Sequence, residues 1–144
     1  MLTRRISVRG LALHQGKLLC VRHKNGGDYW ALPGGGLEEG EALVAGIERE
    51  MIEETSIKPL IGNLLYVQQF TEGGRDYLDF FFHITNAEDY LNIDLSKTTH
   101  GGIELEEIAF VDPASMRILP EFLTTEKLSD FIASQSPTRI FSLY

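Results

Sequence analysis

Between Gly35 and Ile57 the chain reads GGLEEGEALVAGIEREMIEETSI, and the spacing of its apolar and acidic residues restricts what this stretch can become. Each residue of an α-helix turns the chain by about 100°, so residues three and four apart share a face. Leu43, Ile47 and Met51 recur every fourth residue and form an apolar ridge. Glu50, Glu53 and Glu54, related as i, i+3 and i+4, gather on a separate ridge. The spacing predicts a helix from Glu41 to Thr55 that packs on the first ridge and turns the second outward. Like charges so placed destabilise a helix by roughly a few tenths of a kcal/mol per pair, and a hard divalent cation among them reverses the sign. Mg2+ and Mn2+ take oxygen ligands, commonly a few carboxylates with water and phosphate completing the shell. Gly46, four residues before Glu50, either leaves room beside the carboxylates or lets the helix pack closely on a neighbour.

The segment in front carries a second signal. Trp30-Ala-Leu-Pro33 runs into Gly34, Gly35 and Gly36, then Leu37-Glu-Glu-Gly40-Glu41. A glycine-rich loop leading into a helix can turn free amides towards an anion, which makes Gly35 and Gly36 candidate substrate contacts. Joined to the acidic helix at this spacing, the stretch resembles the box of the Nudix hydrolase family, G-x5-E-x7-R-E-U-x-E-E-x-G-U, where U is a bulky aliphatic residue. Gly35, Glu41, Arg49, Glu50, Met51, Glu53, Glu54 and Ile57 fall on its positions, and Ser56 stands where the family has glycine. Ser56 is expected to end the helix in the left-handed conformation that glycine would take more easily, with no metal ligand lost.

The resemblance implies a Nudix-type α/β/α sandwich with a central mixed sheet, and residues 1–144 as one domain. It implies hydrolysis of a phosphoanhydride bond in a nucleoside diphosphate linked to another group, with Mg2+ or Mn2+ held by Glu50, Glu53 and Glu54. Divalent ions in such a site screen phosphate charge and activate water. Glu53 is also a candidate base, Arg49 orients a box carboxylate, and Glu41 supports the helix start. Dimers are frequent in the family, so a homodimer is a possible assembly.

Composition narrows the alternatives. The 144 residues are 43% hydrophobic and 24% charged, which fits one globular domain with a real core. The formal charge of −8 argues against broad nucleic-acid binding, but not against a phosphorylated small molecule brought in by metal ions. No apolar run reaches membrane-spanning length and the first residues lack a signal-peptide pattern, so the expected location is the cytoplasm. Cys20 is the only cysteine, which excludes an intramolecular disulfide, and its apolar surroundings read as core.

Further along the chain, Ile6 to Leu13 and Lys17 to His23 read as a hairpin about His14-Gln-Gly16, followed by a short strand near Tyr29 to Leu32. Leu64 to Thr71 and Asp76 to Thr85 read as strands joined at Glu72-Gly-Gly74, the second central and buried. Leu105 to Val111 reads as a strand, and Pro120 to Ser134 as a final helix.

Outside the box the signals thin. Glu104, Glu106 and Glu107 lie where related enzymes place a base or ligand on a loop; each also reads as solvated charge, and Glu104 is the first choice. Arg22 is a candidate phosphate contact. Trp30 reads equally as a base-stacking ring or as core. His83 reads as a half-buried histidine among aromatic residues, with Tyr77 and Asp79 on its strand face. Markers that separate family branches are missing: about sixteen residues beyond Ile57 stands Gly73 rather than proline or tyrosine, and no upstream coenzyme A pattern is visible. Nucleoside triphosphates, nucleotide sugars and ADP-ribose-like compounds stay open. A non-catalytic nucleotide-binding regulator and a prenyl diphosphate isomerase are the competing classes. The complete acidic cluster weighs against the first, and the lack of a catalytic cysteine beyond Cys20 against the second.

Overall fold

The computed structural model describes residues 3–144. In chain order the strands are β1 (Thr3–Leu11), β2 (Leu13–His14), β3 (Lys17–His23), β4 (Trp30–Ala31), β5 (Gly34–Gly36), β6 (Ile61–Glu72), β7 (Arg75–Ile84), β8 (Leu105–Val111), β9 (Ile118–Leu119) and β10 (Arg139–Leu143). The helices are α1 (Leu43–Thr55), α2 (Gly101–Glu104), α3 (Phe122–Thr125) and α4 (Leu128–Ser134). The class is α/β with mixed strand pairing, as expected, but the strands divide into two sheets rather than one. The first has the order β10-β6-β7-β1-β5; the second has the order β2-β3-β4-β9, with β8 also paired to β3.

Local chemistry explains most boundaries. Gln15 and Gly16, both at positive φ, close the β2–β3 hairpin, and Gly73 and Gly74 close β6–β7 in the same way. α1 starts at Leu43, two residues later than expected, because Gly40 is at positive φ and Ala42 is extended. Its end is as expected. Ser56 adopts φ 63° and donates its N–H to Ile52 O at 2.8 Å.

Other elements depart from the sequence reading. The glycines of Gly34–Gly36 are not a free loop: they form β5, antiparallel to β1, with Gly35 opposite Val8. The final helix is two short ones, α3 and α4, broken where Glu126 turns extended and pairs with Arg139. β10, parallel to β6, and the short turns at Ala87–Tyr90 and Leu95–Lys97 have no counterpart in the sequence reading. Strand alternation separates two apolar clusters. On one side of the first sheet Val8, Ala12, Phe82 and Ile84 receive Ile47 and Met51 of α1. On the other, Leu11, Tyr66 and Phe81 meet Leu18, Cys20 and Leu32, closed off by Leu123 and Leu128. Among the described residues no helix is long and apolar enough to cross a membrane.

Candidate active site

The apolar ridge of α1 packs as its spacing predicts, with Ile47 and Met51 fully buried. The acidic ridge does not face outward. It turns towards β5 and the segment around His100; the side chains of Glu50 and Glu53 stay partly exposed, at 14% and 27%, while Glu54 is only 2% exposed. The only hydrogen bond to the Glu54 carboxylate among the described residues is a long one of 3.4 Å from Gly34 N–H. Burial pushes its pKa to about 8; Arg9 and the amide oppose the shift, and Glu50 and Glu104 add to it. Burial likewise raises Glu50, against the pull of Arg49. Gly35 lies so close to Glu50 that a Cβ there would sit 2.7 Å from Oε1. Gly46 is the closely packed glycine of the two alternatives: a Cβ would meet Leu37 Cδ1 at 2.5 Å.

Arg49 organises the cluster. Its Nε and Nη2 donate to Glu41 at 2.8 and 3.0 Å, its Nη1 to Glu50 at 3.1 Å and Glu53 at 3.3 Å, and Nη2 also to Gly36 O at 3.2 Å. One planar cation thus ties the helix to the preceding strand. Hydrogen bonds from Arg49 and from the backbone of Glu38 hold Glu41 down to about 2. Glu53 is further approached by His100 Nδ1 at 3.2 Å. The donor set is all carboxylate oxygen, and a buried carboxylate lacking a cation partner is what a hard divalent ion neutralises, so the residues fit Mg2+ or Mn2+ in their chemistry. As the side chains stand, no three acidic, imidazole or thiol groups converge tightly enough to hold an ion among the described residues.

A cleft of about 390 Å3 between the two sheets has Arg9, but none of these carboxylates, in its wall. Its walls include His23, Tyr29, Gln68, Phe70 and Asp79. Arg9 donates to Leu32 O at 3.3 Å and is near enough to shift Glu50, Glu54, Asp79 and His23. The sequence reading missed it. The signal was there in the β1 alternation Arg5, Ser7, Arg9, which puts polar side chains on the face opposite Val8 and Gly10.

The expected residues distribute unevenly. Glu104 ends α2 rather than lying on a loop, is exposed, and sits close enough to perturb both Glu54 and His23. Arg22 and Trp30 are not brought to the carboxylates. Arg22 pairs with Glu107 at 2.9 Å, and its guanidinium lies 5.3 Å from the Trp30 ring centroid in a separate cleft. Trp30 is 8% exposed and belongs to the core. Asp79 lines the main cleft and Tyr77 stacks on Phe70 beside it, whereas His83 is half-buried further along β7.

Comparison with known proteins bears on the fold and the family. A MutT-like protein of Streptomyces ambofaciens is 39% identical over 70 residues, which are 48% of this chain and 45% of that protein. The match therefore spans less than half the length of that curated relative. Among solved structures, UDP-X diphosphatase superposes with a TM-score of 0.73 at 23% identity, covering 97% of this chain and 68% of that one. The MutT protein of Methanosarcina mazei gives 0.69 at 23%, covering 94% and 97%. An ADP-ribose pyrophosphatase of Streptococcus suis gives 0.63 at 16%, covering 94% and 98%. At these identities the superpositions speak for the fold. Residues 3–132 match the NUDIX domain, a span running from the first residue of β1 into α4 and well beyond the box, and the chain belongs to the Nudix family.

Proposed function

We propose that this protein is a divalent-metal-dependent hydrolase that cleaves a phosphoanhydride bond in a nucleoside diphosphate linked to another group. The observation that carries the reading is Glu54, a buried carboxylate with no ion-pair partner among the described residues, beside Glu50 and Glu53, with Arg9 near it and in the wall of an open cleft. The bound cation supplies charge neutralisation for phosphate oxygens and acidifies water. Glu50, Glu53 and Glu54 would hold it, with Arg49 orienting Glu50 and Glu53. Arg9 faces the polyphosphate, a role earlier considered for Arg22. Glu104 accepts the proton of the attacking water, because its carboxylate is uncommitted among the described residues whereas Glu53 is held by Arg49 and His100. Gly35 and Gly36 bring the β5 backbone close to the reacting end.

The solved relatives named as UDP-X diphosphatase and ADP-ribose pyrophosphatase support nucleotide-linked diphosphates as the substrate class. A small nucleotide rather than a nucleic acid suits the charge of −8. Cys20, fully buried and pushed up to about 12 by burial, is a poor nucleophile or acid for prenyl isomerisation. A cytoplasmic setting and a homodimer belong to the same reading, the latter testable by light scattering. The deciding experiment offers nucleoside triphosphates, nucleotide sugars and ADP-ribose with Mg2+ and follows phosphate products. Turnover of at least one class that Glu54→Gln abolishes supports the reading; no turnover of any class overturns it. Glu104→Gln should lower kcat with Mn2+ affinity unchanged, and full activity in this variant reassigns the base to Glu53.

A further inference from the structure

The cleft contains a polar pair that the proposed hydrolysis does not use. Gln68 is 5% exposed and its side chain forms no hydrogen bond among the described residues, yet it lines the cleft. Asp79 stands directly opposite it in the β6–β7 register, half-buried and without an ion-pair partner among the described residues. Directly opposed side chains in such a pair have Cβ atoms about 5 Å apart. Tyr29 and Phe70 supply aromatic surface beside them, and Phe70 is itself braced by Tyr77 at 4.7 Å and 6°. Ser7 lies opposite Asp79 on β1, and Arg9 two residues along on the same face marks the direction of the carboxylate cluster.

A cleft lined by aromatic rings and by a carboxylate set opposite an amide in the strand register can select among planar heterocycles. An ionised carboxylate only accepts, and an amide both donates and accepts. Of the common bases, guanine alone presents two adjacent N–H donors, N1–H and N2–H, next to an acceptor, O6. Adenine and cytosine put a ring acceptor beside their amino group, and uracil flanks one N–H with two carbonyls; each sets an acceptor against Asp79.

We propose that Gln68 and Asp79 form a guanine-selective subsite, Asp79 accepting N1–H and N2–H and Gln68 donating its amide N–H to O6. The subsite rests on the reading of this cleft as the place where a nucleotide substrate binds, and it names the base of that substrate. A matched bidentate contact discriminates against the wrong base by about tenfold to hundredfold. The test measures binding and turnover separately. Calorimetric titration without divalent ions is expected to rank GMP and dGMP about tenfold or more above AMP and UMP, with IMP, which lacks the N2 amino group, between. Asp79→Asn should remove the GMP preference by weakening GMP while AMP binding is not weakened. Equal binding of GMP and AMP by the wild type overturns the subsite without need of the variant. Equal weakening of both by a folded Asp79→Asn, or loss of binding on going from GMP to dGMP, overturns it too, the last reassigning Asp79 to the ribose. Guanine-selective binding with no turnover of any nucleoside triphosphate, nucleotide sugar or ADP-ribose supports the subsite and sinks the hydrolase reading. Turnover with no base preference does the reverse.

Discussion

Replacing Gly35 by alanine tests whether the β5 backbone sets the position of Glu50. An added Cβ would meet Glu50 Oε1, Cδ and Oε2 at 2.7, 2.8 and 2.9 Å, where ordinary contact begins at 3.4 Å. The carboxylate must therefore retreat by about 0.7 Å, against a tolerance of about 0.2 Å in a metal–ligand distance. The fold should survive. Alanine regains about 0.5–1 kcal/mol over glycine in a strand, and an off-rotamer Glu50 costs about 0.5–1.5 kcal/mol. Net stability should thus move by no more than about 1 kcal/mol. Misplacement on this scale costs about 10²-fold in rate, or about 2.7 kcal/mol of transition-state stabilisation. The assay pairs kcat/KM and Mn2+ affinity with a urea midpoint, in wild type, Gly35→Ala, Glu50→Ala and the double variant. If the alanine acts through Glu50, it should add nothing on the Glu50→Ala background. Activity of Gly35→Ala within threefold of wild type, or an undiminished effect in the double variant, would refute the reasoning.

Three further outcomes follow from the same geometry. Glu54→Gln removes a charge that burial opposes, so the metal-free variant should be more stable than wild type above pH 8, by at most a few kcal/mol at 1.36 kcal/mol per pKa unit, while stabilisation by Mg2+ disappears; a lower melting temperature at pH 9 contradicts this. Arg49→Lys cannot reach Glu41, Glu50, Glu53 and Gly36 together, and metal affinity should fall about 10–100-fold with the fold retained, as read by Mn2+ titration and circular dichroism. Burial lowers the His83 pKa from its ordinary 6.5, so the unfolded chain binds more protons near and below that pH. His83 should therefore have no effect on stability well above pH 6.5 and destabilise progressively as pH falls towards its folded pKa; His83→Phe should flatten the melting-temperature profile between pH 7.5 and 5, and an unaltered slope shows that another group carries it.

How much of the site was readable depends on the range of the interactions. The two ridges of α1 follow from helical period alone, so Glu50, Glu53, Glu54, Ile47 and Met51 could be sorted before any fold was known. The left-handed Ser56 end was legible for the same local reason. The direction of the acidic ridge was not. Whether Glu54 faces solvent or is sealed at 2% exposure depends on where β5 and the segment around His100 lie, and those contacts are made from far along the chain.

The arginines show the limit most clearly. Arg22 adjoins the recognisable Trp30-Ala-Leu-Pro33 segment and Arg9 does not, yet Arg9 borders both the carboxylates and the cleft, while Arg22 pairs with Glu107 elsewhere. Proximity in sequence misled because neighbouring strand residues point to opposite faces, and only sheet order says which face meets the site. The same holds for Gln68 and Asp79, eleven residues apart and unremarkable singly, which the β6–β7 register sets side by side. By itself, then, the amino-acid order determined the acidic helix, its capping and its kinship, because these rest on spacing within a few turns. Tertiary structure decided which arginine borders the carboxylates, how deeply Glu54 is buried and what faces the cleft, because each depends on a pairing register that only burial across the whole chain can select.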